Sequence, residues 1–146
     1  MKLKNSQVVL LNGILTSLSL DITESSARRR FLREIKDFVE DVKETQTEIQ
    51  AKYSEKDETG APKSINNTIQ FNKEGKKKAN SEWNKLNEEE VTIDVDKGNE
   101  KDIQTVSAII RKHLSEFEKE AKGSFTANSF DYHEDLSGIL GALASK

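Results

Sequence analysis

The chain contains two histidines, the side chains best suited to acid–base catalysis or metal binding near neutral pH. His113 and His133 do not have the HExxH spacing that places two zinc ligands on one helical face. His113 lies beside Leu114 at the edge of an apolar stripe, which is typical of a partly buried structural histidine. The acidic neighbours of His133, in the segment 131–135, point in different directions around a helix start. Neither histidine is therefore predicted to be catalytic or to bind a metal.

The segment from Asp94 to Asn99 superficially resembles a calcium-binding loop. Counting from Asp94, the glycine required at the sixth position is Asn99, and the carboxylate required at the twelfth position is Thr105. Cysteine is absent, which excludes zinc–thiolate sites, disulfides and cysteine nucleophiles. The sequence also has no GxSxG, P-loop or GxGxxG motif. We expect a protein that is not an enzyme, with no catalytic residue, metal site or cofactor.

Two basic clusters are stronger candidates for a binding site, because arginine and lysine contact phosphates and carboxylates. The first contains Arg28, Arg29, Arg30, Arg33 and Lys36, and the second contains Lys73, Lys76, Lys77 and Lys78. Acidic residues adjoin both clusters, and the chain has a net charge of −3 and a pI near 5.5. This balance favours solvated helix faces over a nucleic-acid footprint. Nucleic-acid binding through Arg28–Lys36 and Lys73–Lys78 stays open as the alternative function.

Trp83 is the one tryptophan of the chain, and it can be read in two ways. It is either an anchor for a partner or the residue that fixes a weakly apolar helix to the core. The second interpretation is favoured, because only Ala79 and Leu86 add apolar surface to the same segment. The candidate partner-binding residues are Arg28, Arg29, Arg30, Arg33 and Trp83.

One long amphipathic helix, from about Ile22 to Lys56, is the main element that positions these residues. Asp21 and Glu24 have the spacing of a capping box at its start. Gly60 and Pro62 follow its end, because glycine accepts positive φ and proline cannot continue a helix. The predicted buried stripe consists of Ala27, Phe31, Ile35, Phe38, Val42, Ile49 and Tyr53.

The other apolar patterns predict a helix-dominated α+β fold, in which the long helix packs with three or four other helices and two or three short strands. Strands are expected at Lys2–Lys4, Thr68–Phe71 and Val91–Val95. Helices are expected from Asn5 or Ser6 to Leu18, at 73–89 after the cap Asn72, from Asn99 to Gly123, and from about Ser129.

The 146 residues fit a single domain, 1–146, with no internal repeat. Its most apolar stretch, from Val8 to Leu20, is too short and too polar to cross a membrane. It also lacks the layout of a signal peptide. We therefore expect no membrane partner and a cytoplasmic location.

The order of charges along the long helix opposes the helix macrodipole. The arginines come first, and Glu40, Asp41, Glu44 and Glu48 come towards the C-terminus, the reverse of the favourable arrangement. An antiparallel neighbour would compensate for this order. The sequence leaves two neighbours open: a second copy of the helix, with the apolar stripe as the seam of a homodimer, or the helix from Asn99 to Lys122 of the same chain.

Several segments, taken in order, resemble the DUF1617 family of small uncharacterised proteins of phages and prophages of Gram-positive bacteria. The first segments are the opening 1–5 and the arginine-rich stretch Ser26–Leu32. The loop Lys56–Lys63, the stretch Phe71–Glu74 and the stretch Leu86–Val95 follow. The C-terminal 138–146 departs from the family pattern. The resemblance implies a phage setting in a host cytoplasm or a virion, and it supplies no catalytic residues.

The leading functional hypothesis is a non-enzymatic phage protein that binds another protein, of the host or of the phage. Two roles follow from it. In one, the chain inhibits a host protein, such as a component of a defence system; in the other, it assists virion or tail assembly.

Overall fold

The computed structural model describes residues 1–94, 98–121 and 127–144. These residues form a helix-dominated α+β fold of five helices and two small antiparallel sheets, as predicted. The elements are β1 (Lys2–Lys4), α1 (Asn5–Ser17), α2 (Ile22–Tyr53), β2 (Ser64–Ile65), β3 (Thr68–Ile69), α3 (Lys73–Glu88), β4 (Glu90–Thr92), α4 (Glu100–Ala121) and α5 (Ala127–Ala144).

The long helix α2 is the element against which α1, α3 and α4 pack. Its predicted cap is confirmed: the Asp21 carboxylate accepts a hydrogen bond of 2.8 Å from the backbone N–H of Glu24. The helix ends at Tyr53, three residues before the expected Lys56, because Ser54 adopts an extended backbone. The buried stripe departs from the prediction at two points: Val39 is buried in place of Phe38, which is half-buried, and Tyr53 at the end of the helix is also only half-buried.

The helix α4 runs antiparallel to the N-terminal half of α2. Asp102, near the start of α4, is paired with Arg30. Lys112, ten residues further along α4, interacts electrostatically with Asp21, which lies before Arg30 at the start of α2. The intramolecular neighbour considered from the sequence is therefore present. Because Ala27, Phe31, Ile35, Val42 and Ile49 are buried within the chain, the apolar stripe of α2 is not free to form a dimer seam.

The main core draws on both ends of the chain. Leu3 of β1 and four apolar residues of α1 contribute to it, and α5 closes it with Leu136, Ile139 and Leu143. The helix α5 begins two residues before the expected Ser129. Gly123, the predicted end of α4, lies outside the described residues.

Both sheets are two-stranded. The first pairs β1 with β4, and the backbone of Ile93 continues the ladder through hydrogen bonds to Met1. Val95, the last residue of the strand predicted at Val91–Val95, lies outside the described residues. The second sheet is a hairpin of β2 and β3 whose turn residues, Asn66 and Asn67, have positive φ. β3 covers only Thr68–Ile69 of the predicted strand Thr68–Phe71, and β2 was not predicted.

The helix α3 packs against the C-terminal half of α2 and begins at the predicted cap, Asn72, whose side chain accepts a hydrogen bond from Gly75 N–H. Gly75 lowers the intrinsic helix propensity of this segment. In the structure a Cβ at Gly75 would clash with the backbone oxygen of Tyr53, so the close contact of the two helices requires glycine there. No helix within the described ranges is both long and apolar enough to cross a membrane.

Candidate partner-binding surface

Arg28, the first residue of the predicted basic site, is turned towards the interior. Its guanidinium donates hydrogen bonds to the backbone oxygens of Leu15, at 3.1 Å, and Leu18, at 2.7 Å. These carbonyls belong to the C-terminal end of α1, where backbone acceptors lack helical partners. Arg28 therefore joins α1 to α2 and contributes little to an external binding surface.

Arg30 is also engaged within the chain. Its Nε and Nη2 atoms donate to the two carboxylate oxygens of Asp102 at 2.6 and 2.7 Å, a bidentate ion pair between α2 and α4. Because Arg30 is hydrogen-bonded to it, the carboxyl of Asp102 has a pKa below its usual value. The pair fixes the register of the two helices, and it leaves about half of the Arg30 side chain, 51%, exposed.

Arg29 and Arg33 remain on the surface. Both are exposed, and they are one helical turn apart on the same face of α2. Arg29 has a long contact of 3.4 Å with the hydroxyl of Ser26. Together with Ser26 and Arg30, they line a shallow groove of about 470 Å³. Of the four predicted arginines, these two are the ones placed to meet a partner.

Trp83 belongs to α3 and lies beside the C-terminal half of α2, whereas the arginines lie near the N-terminal end of α2. Its ring packs edge-to-face against Phe71, with the two ring centroids 5.9 Å apart. Trp83 also lines a groove of about 660 Å³ between α2 and α3. Its indole nitrogen is buried and has no acceptor among the described residues. Trp83 is thus both a packing residue of α3 and part of a groove wall, which combines the two interpretations made from the sequence.

A third groove, of about 290 Å³, connects the arginines to Trp83. It lies between α1 and α2, shares Arg33 with the arginine groove, and shares Lys43 with the Trp83 groove. The three grooves are therefore connected: they meet at Arg33 on the outward face of α2 and continue along its α1 side to Trp83. Five polar residues of this surface were not predicted from the sequence as partner-binding residues: Asn12, Lys43, Gln46, Gln50 and Asn87. The signal that could have found those on α2 is the spacing of 3 and 4 residues between them.

On the other side of the contact between α2 and α3, a groove of about 560 Å³ contains the ion pair of Lys52 with Glu82. Glu82 accepts a hydrogen bond from the Tyr53 hydroxyl at 2.5 Å and lies 3.5 Å from the Lys52 ammonium. The hydrogen bond from Tyr53, together with Lys52, lowers the pKa of the Glu82 carboxyl. These contacts hold α3 against α2.

The lysine cluster of α3 is fully exposed. Lys78 pairs with Glu74 one turn earlier at 3.0 Å, whereas Lys73, Lys76 and Lys77 extend into solvent near the start of the helix. The cluster lies on a different element from Arg29 and Arg33, so the structure does not unite the two predicted basic segments.

Both histidines take part in contacts between α4 and α5. His113 Nε2 lies 2.7 Å from the Tyr132 hydroxyl, and His133 Nε2 lies 2.8 Å from a carboxylate oxygen of Glu118. No group of side chains suited to holding a metal ion occurs in the described part of the chain. Residues 95–97, within the segment compared with a calcium site, lie outside the described residues.

Comparison of this chain with protein-family models, with curated proteins and with solved structures finds no match.

Proposed function

We propose that this chain is a non-enzymatic, phage- or prophage-encoded protein that acts by binding another protein, with Trp83 as an anchor. The observation that carries the proposal is the groove of about 660 Å³ in which Trp83 lies. Tryptophan is the residue type most enriched among those that dominate binding energy at protein interfaces. The phage setting comes from the resemblance of the ordered segments to the DUF1617 family.

The rim of the groove suits a polypeptide partner. Apart from Trp83 it is lined by Gln46, Gln50, Asn87 and Thr47, which donate and accept hydrogen bonds, and by one cation, Lys43. An apolar centre with a polar, mostly uncharged rim is the usual composition of a protein–protein contact. A phosphate backbone would instead require several cations at this position.

Affinity capture from host lysate tests the proposal. The wild-type chain is expected to recover a stoichiometric protein, and Trp83→Ala is expected to weaken that binding about tenfold or more, as for an interface anchor. Ile65→Ala is the matched control, because Ile65 is a large apolar residue that is 51% exposed and does not line this groove. Unchanged binding by Trp83→Ala, in a chain with wild-type circular dichroism, would contradict the proposal.

The same capture separates the two proposed roles. An inhibitor of a host protein recovers its target from uninfected Gram-positive cells. An assembly factor recovers a stoichiometric partner only when phage proteins are present.

Nucleic-acid binding is the second candidate function, supported by the exposure of Arg29 and Arg33 in one groove and of Lys73, Lys76 and Lys77 on α3. It predicts that a labelled oligonucleotide binds at low ionic strength and dissociates steeply as salt increases. The absence of binding at low salt would remove this candidate.

A further inference from the structure

The outward face of α2 carries an ordered stripe of charges. Arg29, Arg33, Lys36, Asp37, Glu40 and Glu44 are all exposed. Their spacing of mostly 3 or 4 residues places them along one side of the helix, opposite the buried apolar stripe.

The signs of these charges change at one point. In this stripe the three cations precede the midpoint between Lys36 and Asp37 and the three anions follow it, while Lys43, also exposed, lies at the edge of the stripe on the side of α1. Rotation by 180° about that midpoint places Arg33 opposite Glu40 near the axis and brings Arg29 near Glu44 at each end, whereas Lys36 and Asp37, which point about 100° apart, lie on the two sides of the axis. The stripe is thus complementary to an antiparallel copy of itself, which is the condition for an isologous two-fold contact.

Ion pairs within the chain do little to offset the repulsion between like charges that this order of residues creates. Lys36 and Glu40 approach to 3.5 Å, but Arg33, Asp37 and Glu44 have no ion pair among the described residues. Arg29 with Arg33, and Glu40 with Glu44, are like charges one turn apart, which destabilises a helix. The order also opposes the macrodipole of α2.

We propose that a second copy of this chain binds antiparallel along this stripe, forming a weak two-fold dimer. Arg33 of each copy lies against the partner's Glu40, twice across the axis, and Arg29 of each copy extends towards the partner's Glu44. A phosphate backbone fits the stripe less well, because three carboxylates follow the three cations.

The surroundings of the stripe suit such a contact. The groove with Arg30 lies on the side of α4, and the groove with Asn12 and Leu32 lies on the side of α1, so both flanks have room for long side chains. The paired segment, from Arg29 to Glu44, is about 22 Å long. A contact of one helix face of this length falls below the size of stable interfaces, so the dimer is transient and sensitive to salt.

Complementary charge reversal tests this register. Arg33→Glu gives a chain in which two glutamates face each other across the axis, and Glu40→Arg gives a chain in which two arginines do so. Each variant alone is expected to self-associate about tenfold more weakly than the wild type in sedimentation velocity at about 0.01 M ionic strength. An equimolar mixture of the two variants is expected to associate again, because every facing pair is then of opposite sign.

Lys77→Glu, which makes the same charge change on exposed α3, is the matched control and should self-associate like the wild type. The proposal is overturned if the wild type is monomeric up to about 1 mM at low salt, or if the mixture associates no better than its components. A monomeric chain that binds a labelled oligonucleotide through Arg33 would overturn it in favour of phosphate binding.

Discussion

At the scale of single residues, adjacent arginines of one cluster have different roles. Arg28 binds backbone oxygens at the end of α1, Arg30 binds the carboxylate of Asp102, and Arg29 and Arg33 face solvent. The difference arises because consecutive residues on a helix point about 100° apart, so a run of like charges meets several different environments. A functional interpretation of this cluster therefore rests on Arg29 and Arg33.

The ion pair of Arg30 with Asp102 predicts a pH dependence of stability. Because the pKa of Asp102 is lower in the folded than in the unfolded chain, its contribution is present above the unfolded value and is lost as pH falls through the folded value. Asp102→Asn should lower the free energy of unfolding at pH 7. The difference from the wild type should shrink as the pH falls below about 4.

Urea denaturation as a function of pH measures this difference. Asp41→Asn is the control, since Asp41 is an exposed carboxylate of α2, the helix that carries Arg30, and it should leave the free energy of unfolding nearly unchanged. An Asp102→Asn variant as stable as the wild type at pH 7 would show that the pair contributes nothing.

At the scale of elements, the contact between α2 and α3 depends on the absence of a side chain. Gly75 lies in the first turn of α3, against the backbone oxygen of Tyr53. Helix propensity alone would favour alanine at this position by about 1 kcal/mol. The close approach of the backbones reverses that preference.

We therefore predict that Gly75→Ala destabilises the protein by about 1–3 kcal/mol, the usual cost of overpacking. Gly13→Ala is the matched control, because a Cβ at this glycine of α1 would meet no atom within 4 Å. It should stabilise the chain by up to about 1 kcal/mol through helix propensity. Equal effects of the two substitutions in urea denaturation would contradict this account of α3.

At the scale of the whole molecule, the buried residues are unevenly distributed. The main hydrophobic cluster combines β1, α1, α4 and α5 with the N-terminal part of α2, from Phe31 to Val39. Val42, Ile49 and Ala79, which lie at the contact of α2 with α3, are buried outside that cluster. The grooves that carry the proposed binding functions lie along this thinner part and along the outer face of α2.

We predict that the amides of α3 exchange hydrogen at a lower opening free energy than those of α1 and α4, because fewer buried apolar contacts hold them. Ile110→Ala, at a fully buried position of α4, should lower the global free energy of unfolding by about 2–5 kcal/mol. Ile110→Val should cost only about 0.5–1.5 kcal/mol. Native-state hydrogen exchange measures both effects, and α3 amides as protected as those of α4 would contradict the prediction.

The sequence by itself determined the helices, their caps at Asp21 and Asn72, and the helix-dominated α+β class, because apolar periodicity and capping are local properties of the chain. It did not determine that Val39 is more buried than Phe38, or that β2 forms, because these depend on which elements lie alongside. The candidate site was predicted in part: Arg29, Arg33 and Trp83 line grooves, whereas Arg28 and Arg30 are largely used within the fold.

Only the tertiary structure decided which face of the long helix remains free. Periodicity identified the apolar stripe and charge order suggested an antiparallel neighbour, but both were compatible with a neighbour from the same chain or from another copy. The packing of α1, α3 and α4 covers the apolar face and leaves the charged face exposed. Contacts between distant segments make that choice, and no local pattern encodes it.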